Sequence, residues 1–233
     1  MFRIFAAVLF TIFSCYAAGQ DTVNMKDSQG RKQGFWRKAD SAGHVVYDGH
    51  FKDGIPAGIF HYYYPDGKLK TLSVVTNRGK LAMTTSYFPN GRKMAAGRYL
   101  NEKKDSTWQF FSETAETLVS EENYKNGLAE GVSKVYYPEG GLSEQRTYTN
   151  GIPDGPWEQY YTEGKLKLKG GYQAGEKHGA LKTFFISGQV MMSGQYVSGH
   201  QAGTWLFYND KGAIAKKETY LNGRLVKVEA AGK

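Results

Sequence analysis

The sequence is poorest in cysteine: Cys15 stands alone among 233 residues. A single thiol allows no intrachain disulfide, so a cross-linked framework cannot replace a hydrophobic core. After residue 20 no stretch repeats its apolar residues every three or four positions, which argues against amphipathic helices. The apolar run from Ile4 to Phe13 is too short to cross a bilayer as a helix. No run of Lys or Arg exceeds two residues, so the formal charge of +8 is spread out rather than gathered into a polyanion groove. Catalytic signatures are missing as well. There is no G-x-S-x-G and no phosphate-cradling loop ahead of a helix, and His44, His50, His61, His178 and His200 match no zinc spacing. Glu121, Glu122, Asp53 and Asp154 could be cast as acid and base, but turn aspartates are explained by hydrogen bonds to nearby backbone. The expectation is a non-enzyme with no catalytic residues, no metal and no cofactor.

The first twenty residues, MFRIFAAVLFTIFSCYAAGQ, differ in kind from the rest. Arg3 precedes the apolar run, small residues follow it, and Ala17 and Gly19 sit at −3 and −1 of a cut before Gln20. This is the layout of a secretory signal peptide over 1–19, with a buried N-terminal helix as the plainer alternative. IFSC resembles a bacterial lipoprotein box, with Ile12 at −3 and Ser14 at −1, although Phe13 departs from the residue usual at −2. Cys15 is therefore a candidate lipidation site. If it leaves with the leader, the mature chain has no thiol, and loss of Arg3 lowers the charge to +7. The expected location is periplasmic or extracellular, with an outer-membrane lipoprotein as the alternative through Cys15.

What the chain has in plenty is glycine and tyrosine, 29 and 17 residues, a composition of tight turns and strands. They recur with a period of 24. Units begin at Gly34, Gly58, Ala82, Ser106, Gly131, Gly155, Gly179 and Gly203, with one extra residue in the unit that starts at Ser106. Nine residues in, glycine recurs as Gly43, Gly67, Gly91, Gly140, Gly164, Gly188 and Gly212, with Glu116 in its place in the fourth unit. Seventeen residues in stands an aromatic: Phe51, Tyr99, Tyr148, Tyr172, Tyr196 and Tyr220. A further glycine follows at Gly54, Gly151, Gly175, Gly199 and Gly223.

Within a unit the alternation has the strand period of two: in PWEQYYT, Trp157 and Gln159 point one way, Glu158 and Tyr160 the other. TEGK supplies a turn, LKLKGGY returns, and segments such as TNGIPDG lead into the next hairpin. The fold class expected is all-β, an elongated antiparallel array of about eight 24-residue hairpins. It divides into a lead-in over 20–33, repeats over 34–225 and a tail over 226–233 forming an edge strand. Residues 76–107 are degenerate, since Ala82, Ser106 and Glu102 replace repeat glycines, and the array is expected to bend there.

The pattern G-x-W-x-x-Y-Y-x-x-G-x-L followed by Y-x-N-G-x-x-x-G resembles the MORN repeat variant family, which includes YwqK-like antitoxin proteins. The match is carried by Gly155, Trp157, Tyr160, Tyr161, Gly164, Leu166, Tyr172, Gly175 and Gly179. The resemblance implies strings of β-hairpins and a role in association with proteins or membranes. An exported chain would not meet a cytoplasmic toxin, so the antitoxin role is not expected. Choline- and glucan-binding wall repeats are also similar in length and aromatic content. Here, however, Phe60 and Leu181 share a repeat position with Trp36, Trp108, Trp157 and Trp205, which argues for packing over an aromatic cage.

Two aromatic rows remain as candidates for function. Five residues into the units stand Tyr63, Tyr87, Phe111, Tyr136, Tyr160, Phe184 and Tyr208, the candidate binding face. Six residues in stand Tyr64, Phe88, Tyr137, Tyr161 and Phe185, expected to point the other way. The function expected is a protein-binding or scaffolding module of the bacterial envelope. The alternative is an envelope glycan or anionic-lipid binder at the membrane surface; no nucleic acid is expected.

Overall fold

The computed structural model describes residues 22–230; residues 1–21, with the expected signal peptide and Cys15, and the last three residues lie outside them. Every regular element described is a strand. The strands form one antiparallel sheet of 20, in which each pairs with its neighbours along the chain. The same meander continues through the second half. The repeat strands run from Lys32–Ala39 to Ile214–Leu221. Two are interrupted near the unit start, as Leu128–Ala129 with Gly131–Tyr136 and Glu176–Lys177 with Gly179–Phe184. A short lead-in strand, Met25–Lys26, lies against Lys32 and Gln33 at one edge. Arg224–Ala230 forms the other edge, and the charges of Arg224, Lys227 and Glu229 along it discourage pairing with another sheet.

Two kinds of turn alternate. Inside a unit the hairpin is closed as at Tyr64, whose N–H donates to the Lys68 carbonyl at 2.9 Å while Gly67 N–H donates back to the Tyr64 carbonyl. Gly67 takes a φ of +81° there. In the fourth unit Glu116 holds the same place at +56°, and its N–H reaches back to Ser112, so the extra residue of the sequence is absorbed in a longer turn. Between units the turn has two residues with positive φ, such as Asn150 (+50°) and Gly151 (+84°). That is the type I′ geometry matching the twist of paired strands.

The unit start is a bulge. Gly58 has a φ of +78°, and Gly58 and Ile59 are extra residues where the pairing steps from His50↔Ala57 to Gly49↔Phe60. Ser106 keeps a positive φ of +63° and the same step. Ala82 does not: Leu69–Thr76 and Leu81–Tyr87 pair without a break, from Thr71↔Ser86 to Thr76↔Leu81. The extra residues have moved into the turn, where Asn77, Arg78 and Gly79 all have positive φ. Register beyond this point is preserved, so the degenerate stretch alters the surface and leaves the pairing order intact.

The core is a spine along one face. Mid-strand, successive strands present Trp36, Gly49, Phe60, Ser73, Thr84 and Gly97 side by side. Farther on, Trp157, Gly170, Leu181 and Gly194 repeat the alternation of large and small. The glycines let a ring lie flat on the next strand: a Cβ on Gly49, Gly97 or Gly194 would run into Phe60, Trp108 or Trp205 respectively. Trp205 is 1% exposed, and Trp157, Leu181 and Trp205 are sealed by Leu168, Tyr172, Met192, Tyr196, Phe207 and Tyr220. Packing alone chooses these rings. The Trp108 indole donates to the Arg98 carbonyl at 3.0 Å, while those of Trp157 and Trp205 have no partner.

Candidate binding surface

The row of Tyr63, Tyr87, Phe111, Tyr136, Tyr160, Phe184 and Tyr208 lies at strand ends, half-buried, on the face opposite the spine. The hydroxyls of Tyr63, Tyr136 and Tyr160 bind acidic or amide groups. Tyr63 donates to Asp48 at 3.0 Å, and His61 meets the other oxygen of that carboxylate at 2.9 Å. Tyr136 donates to Glu121 at 2.8 Å, and Tyr160 to Glu158 at 2.7 Å, while Gln145 donates to both Glu158 and Tyr160. Where the preceding unit offers Ala96 or Lys169 in place of an acceptor, the ring is Phe111 or Phe184.

These bonds shift the titrations in opposite senses. Desolvation, then the hydrogen bond to Glu121, raises Tyr136 to about 12. Tyr160 is raised to about 12 by desolvation and its bond to Glu158. Glu121 is lowered first by the hydrogen bond from Gln109, then by that from Tyr136. Glu158 is lowered by Tyr160, then Gln145.

The second row is not on the spine face. Tyr64, Tyr137 and Tyr161 begin the turns, beyond the ends of their strands. Each reaches 23 residues along the chain: their phenols donate to the carbonyls of Tyr87, Tyr160 and Phe184 at 2.6–2.7 Å. The row is a set of struts tying each hairpin tip to the next.

At one place the spine gives way to an open cleft. Where neighbouring units place a ring over a glycine, Ser73 and Thr84 share a hydroxyl hydrogen bond of 2.8 Å. Thr71 and Ser86 share another, at 3.1 Å. With Val75 and Ala82 beside them, these small side chains leave a cleft of about 540 Å³ between Phe60 and Tyr62 on one side and Tyr99 on the other. Lys70, Lys80 and Glu102 stand at its edge. Elsewhere the lysine two residues before a unit start lies over rings: Lys32 is 4.4 Å from the Phe51 centroid, Lys104 is 4.7 Å from Phe110 and Tyr124, and Lys177 is 5.3 Å from Trp157. Lys80 holds the same place in a unit where Thr84 and Ser86 replace the rings of Trp108 and Phe110 and Tyr99 remains.

Glycines fifteen residues into the units (Gly49, Gly97, Gly170 and Gly194) were the signal for the spine, and their partners Ser73 and Thr84 mark the cleft. Among the histidines, His61 and His44 meet Asp48 and Asp40, and His50 packs edge-on against Phe35. Among the described residues no group of three or more His, Cys, Asp or Glu side chains could hold a metal ion.

Two adjacent units, residues 129–150 and 153–174, match the model of the MORN repeat variant family. The chain carries two MORN repeats of the variant type. Its matched MORN repeats include Trp157, Tyr160 and Tyr161, and the hairpin register on either side extends the same architecture from Lys32 to Leu221. No curated protein matches the sequence. Among solved structures, TcdB2-TccC3-TEV aligns at 11% identity over 78% of this chain and 12% of that one, with a TM-score of 0.22. The Photorhabdus luminescens Tc holotoxin pore aligns at 10% identity over 78% and 12%, with a TM-score of 0.20. This MORN-repeat chain thus spans about one-eighth of the length of those solved chains, and likeness at that level carries no argument.

Proposed function

We propose that this MORN-repeat chain is a non-enzymatic binding module of the bacterial envelope, exported by its leader, that holds another protein along the polar face of its sheet. The observation behind this reading is the ladder of half-buried rings from Tyr63 to Tyr208, one in each hairpin after the first, where Ala39 takes the place, with charged side chains between them. Rings pinned by carboxylates, as Tyr136 and Tyr160 are, have little side-chain freedom left to lose on binding. Aromatic side chains are also those enriched in protein interfaces. Lys169 and Lys182 lie directly opposite each other on adjacent strands of this face, an arrangement that an acidic partner would relieve.

The mature chain should retain a defined protein from envelope extracts, and Tyr136→Ala with Tyr160→Ala should lower that capture at least tenfold while the sheet stays folded by circular dichroism. Equal capture by the variant, or no enrichment over a control with a scrambled surface, counts against the reading. For export, the intact mass of the chain secreted by a host should correspond to an N-terminus at Gln20, or to an acylated Cys15. An unprocessed Met1 would refute it.

A further inference from the structure

The cleft between Tyr62 and Tyr99 has no counterpart in the polar-face reading, and its chemistry is distinct. Its floor is a set of hydroxyl pairs. In Ser73–Thr84 and in Thr71–Ser86 one hydroxyl donates to the other, which uses one hydrogen of each pair. The second hydrogen of each pair has no acceptor among the described residues, although Ser73 and Thr84 are both buried. The spare O–H groups face the open cleft, where water meets them or the acceptor oxygens of a ligand can.

The edge asks for the same. Lys80 keeps Tyr99 but has Thr84 and Ser86 where Lys104 has the rings of Trp108 and Phe110, and Lys70 lines the other end of the cleft. Against them the edge offers a single carboxylate, Glu102. The walls are of another kind: Tyr62, 38% exposed, and Tyr99 present ring faces, whose partial negative charge attracts C–H groups. Their strands are three spacings apart and Tyr62 lies level with Ala95, four residues from Tyr99, so the two backbones are roughly 20 Å apart, the length of a short oligosaccharide. The volume of about 540 Å³ falls within the range of small-ligand sites.

An indole inserted from a partner would bring only a donor to a floor that offers donors, and a phenyl ring would bring neither donor nor acceptor. A ring with C–H groups on its faces and oxygens around its edge satisfies both the walls and the floor. We infer that the cleft is a saccharide site: a short saccharide runs from Tyr62 to Tyr99, its hydroxyl oxygens accept from the Thr71–Ser86 and Ser73–Thr84 pairs, and Lys80 reads a carboxylate on the sugar.

Calorimetric titration with two probes tests this, a glucuronate-containing tetrasaccharide and a neutral N-acetylglucosamine tetramer. The acidic tetramer should bind saturably, at least fivefold more tightly than the neutral one, and Lys80→Ala should erase the difference. Ser73→Gly with Thr84→Trp restores the ring-over-glycine pair seen at Gly97 and Trp108, fills the cleft, and should abolish binding while raising the melting temperature. Should that variant fail to fold, Thr84→Val keeps the shape, removes one hydroxyl, and should weaken binding about tenfold. Absence of saturable binding by the native chain, equal affinity for the two tetramers, or full binding by a folded Ser73→Gly/Thr84→Trp or Thr84→Val variant would each overturn the site. Because this face lies opposite Tyr136 and Tyr160, failure here leaves the protein-partner reading standing, and the converse.

Discussion

At the scale of single residues, glycine does two unlike jobs in this chain. At unit starts and turns it supplies positive φ; fifteen residues into a unit it supplies the absence of a side chain. Gly194 has no positive φ, yet an added Cβ would meet the Trp205 ring. Gly194→Ala is therefore expected to destabilise by about 1–3 kcal/mol through overpacking. Glu102, at a φ of +62°, is the reverse case, and Glu102→Gly should stabilise by roughly 1 kcal/mol by relieving left-handed strain. Urea unfolding of both variants checks the opposite signs.

The tyrosines give a pH signature at the same scale. Tyr136 and Tyr160 titrate near 12 in the folded chain against an ordinary 10.0, so the protonated phenol is favoured by folding. Their contribution is complete below pH 10 and is lost as pH rises through 12. Glu121 and Glu158, held below 4.5, contribute above that pH and lose their contribution as pH falls. Melting temperatures of native and Tyr136→Phe/Tyr160→Phe chains should therefore diverge less at pH 12 than at pH 9. A constant gap across that range would contradict the assignment.

At the scale of the hairpin, the turns were the most legible feature. Asn-Gly segments such as Asn150-Gly151 take the I′ geometry that their chemistry demands, and the one-residue insertion near Glu116 appears as a longer turn. Less legible was the use of the two adjacent aromatics. Strict alternation puts Tyr161 on the face opposite Tyr160, but the strand ends at Tyr160 and the Tyr161 phenol ties down the Phe184 carbonyl at 2.7 Å. Alternation fails there because a residue that opens a turn no longer obeys the pleat. Tyr161→Phe should cost about 0.5–1.5 kcal/mol, the net worth of one hydrogen bond. Phe88→Tyr, which supplies a phenol to the next unit's carbonyl, should recover a similar amount. Thermal unfolding of the pair measures both.

Across the whole molecule, each strand contacts only its neighbours in the chain, so stability is shared between adjacent units. Where a ring is buried over a glycine, as at Gly97 and Trp108 or Gly194 and Trp205, the junction gains roughly 1.5–3 kcal/mol. The junction at Ser73 and Thr84 holds by a hydroxyl hydrogen bond, worth about 1 kcal/mol. Amide exchange in Leu69–Thr76 and Leu81–Tyr87 should accordingly be faster than in Ile152–Tyr160 and Leu166–Gln173; equal protection would show that the cleft does not weaken the array.

The sequence by itself determined the meander. Its period, its turn residues and its alternation are local properties, and in an array whose strands pair only with chain neighbours local rules suffice to fix topology. It also marked residues 76–107 as irregular, since Ala82, Glu102 and Ser106 break the glycine pattern. What that irregularity does was decided only in three dimensions. Ser73 and Thr84 are eleven residues apart in the chain and adjacent across two strands, and only their register shows that both halves of one ring-over-glycine pair are replaced together. The assignment of faces was likewise tertiary: bulges at the unit starts and register shifts before the turns reset the alternation, so the sealing of Trp205 and the exposure of the cleft both depend on pairings that no single strand contains.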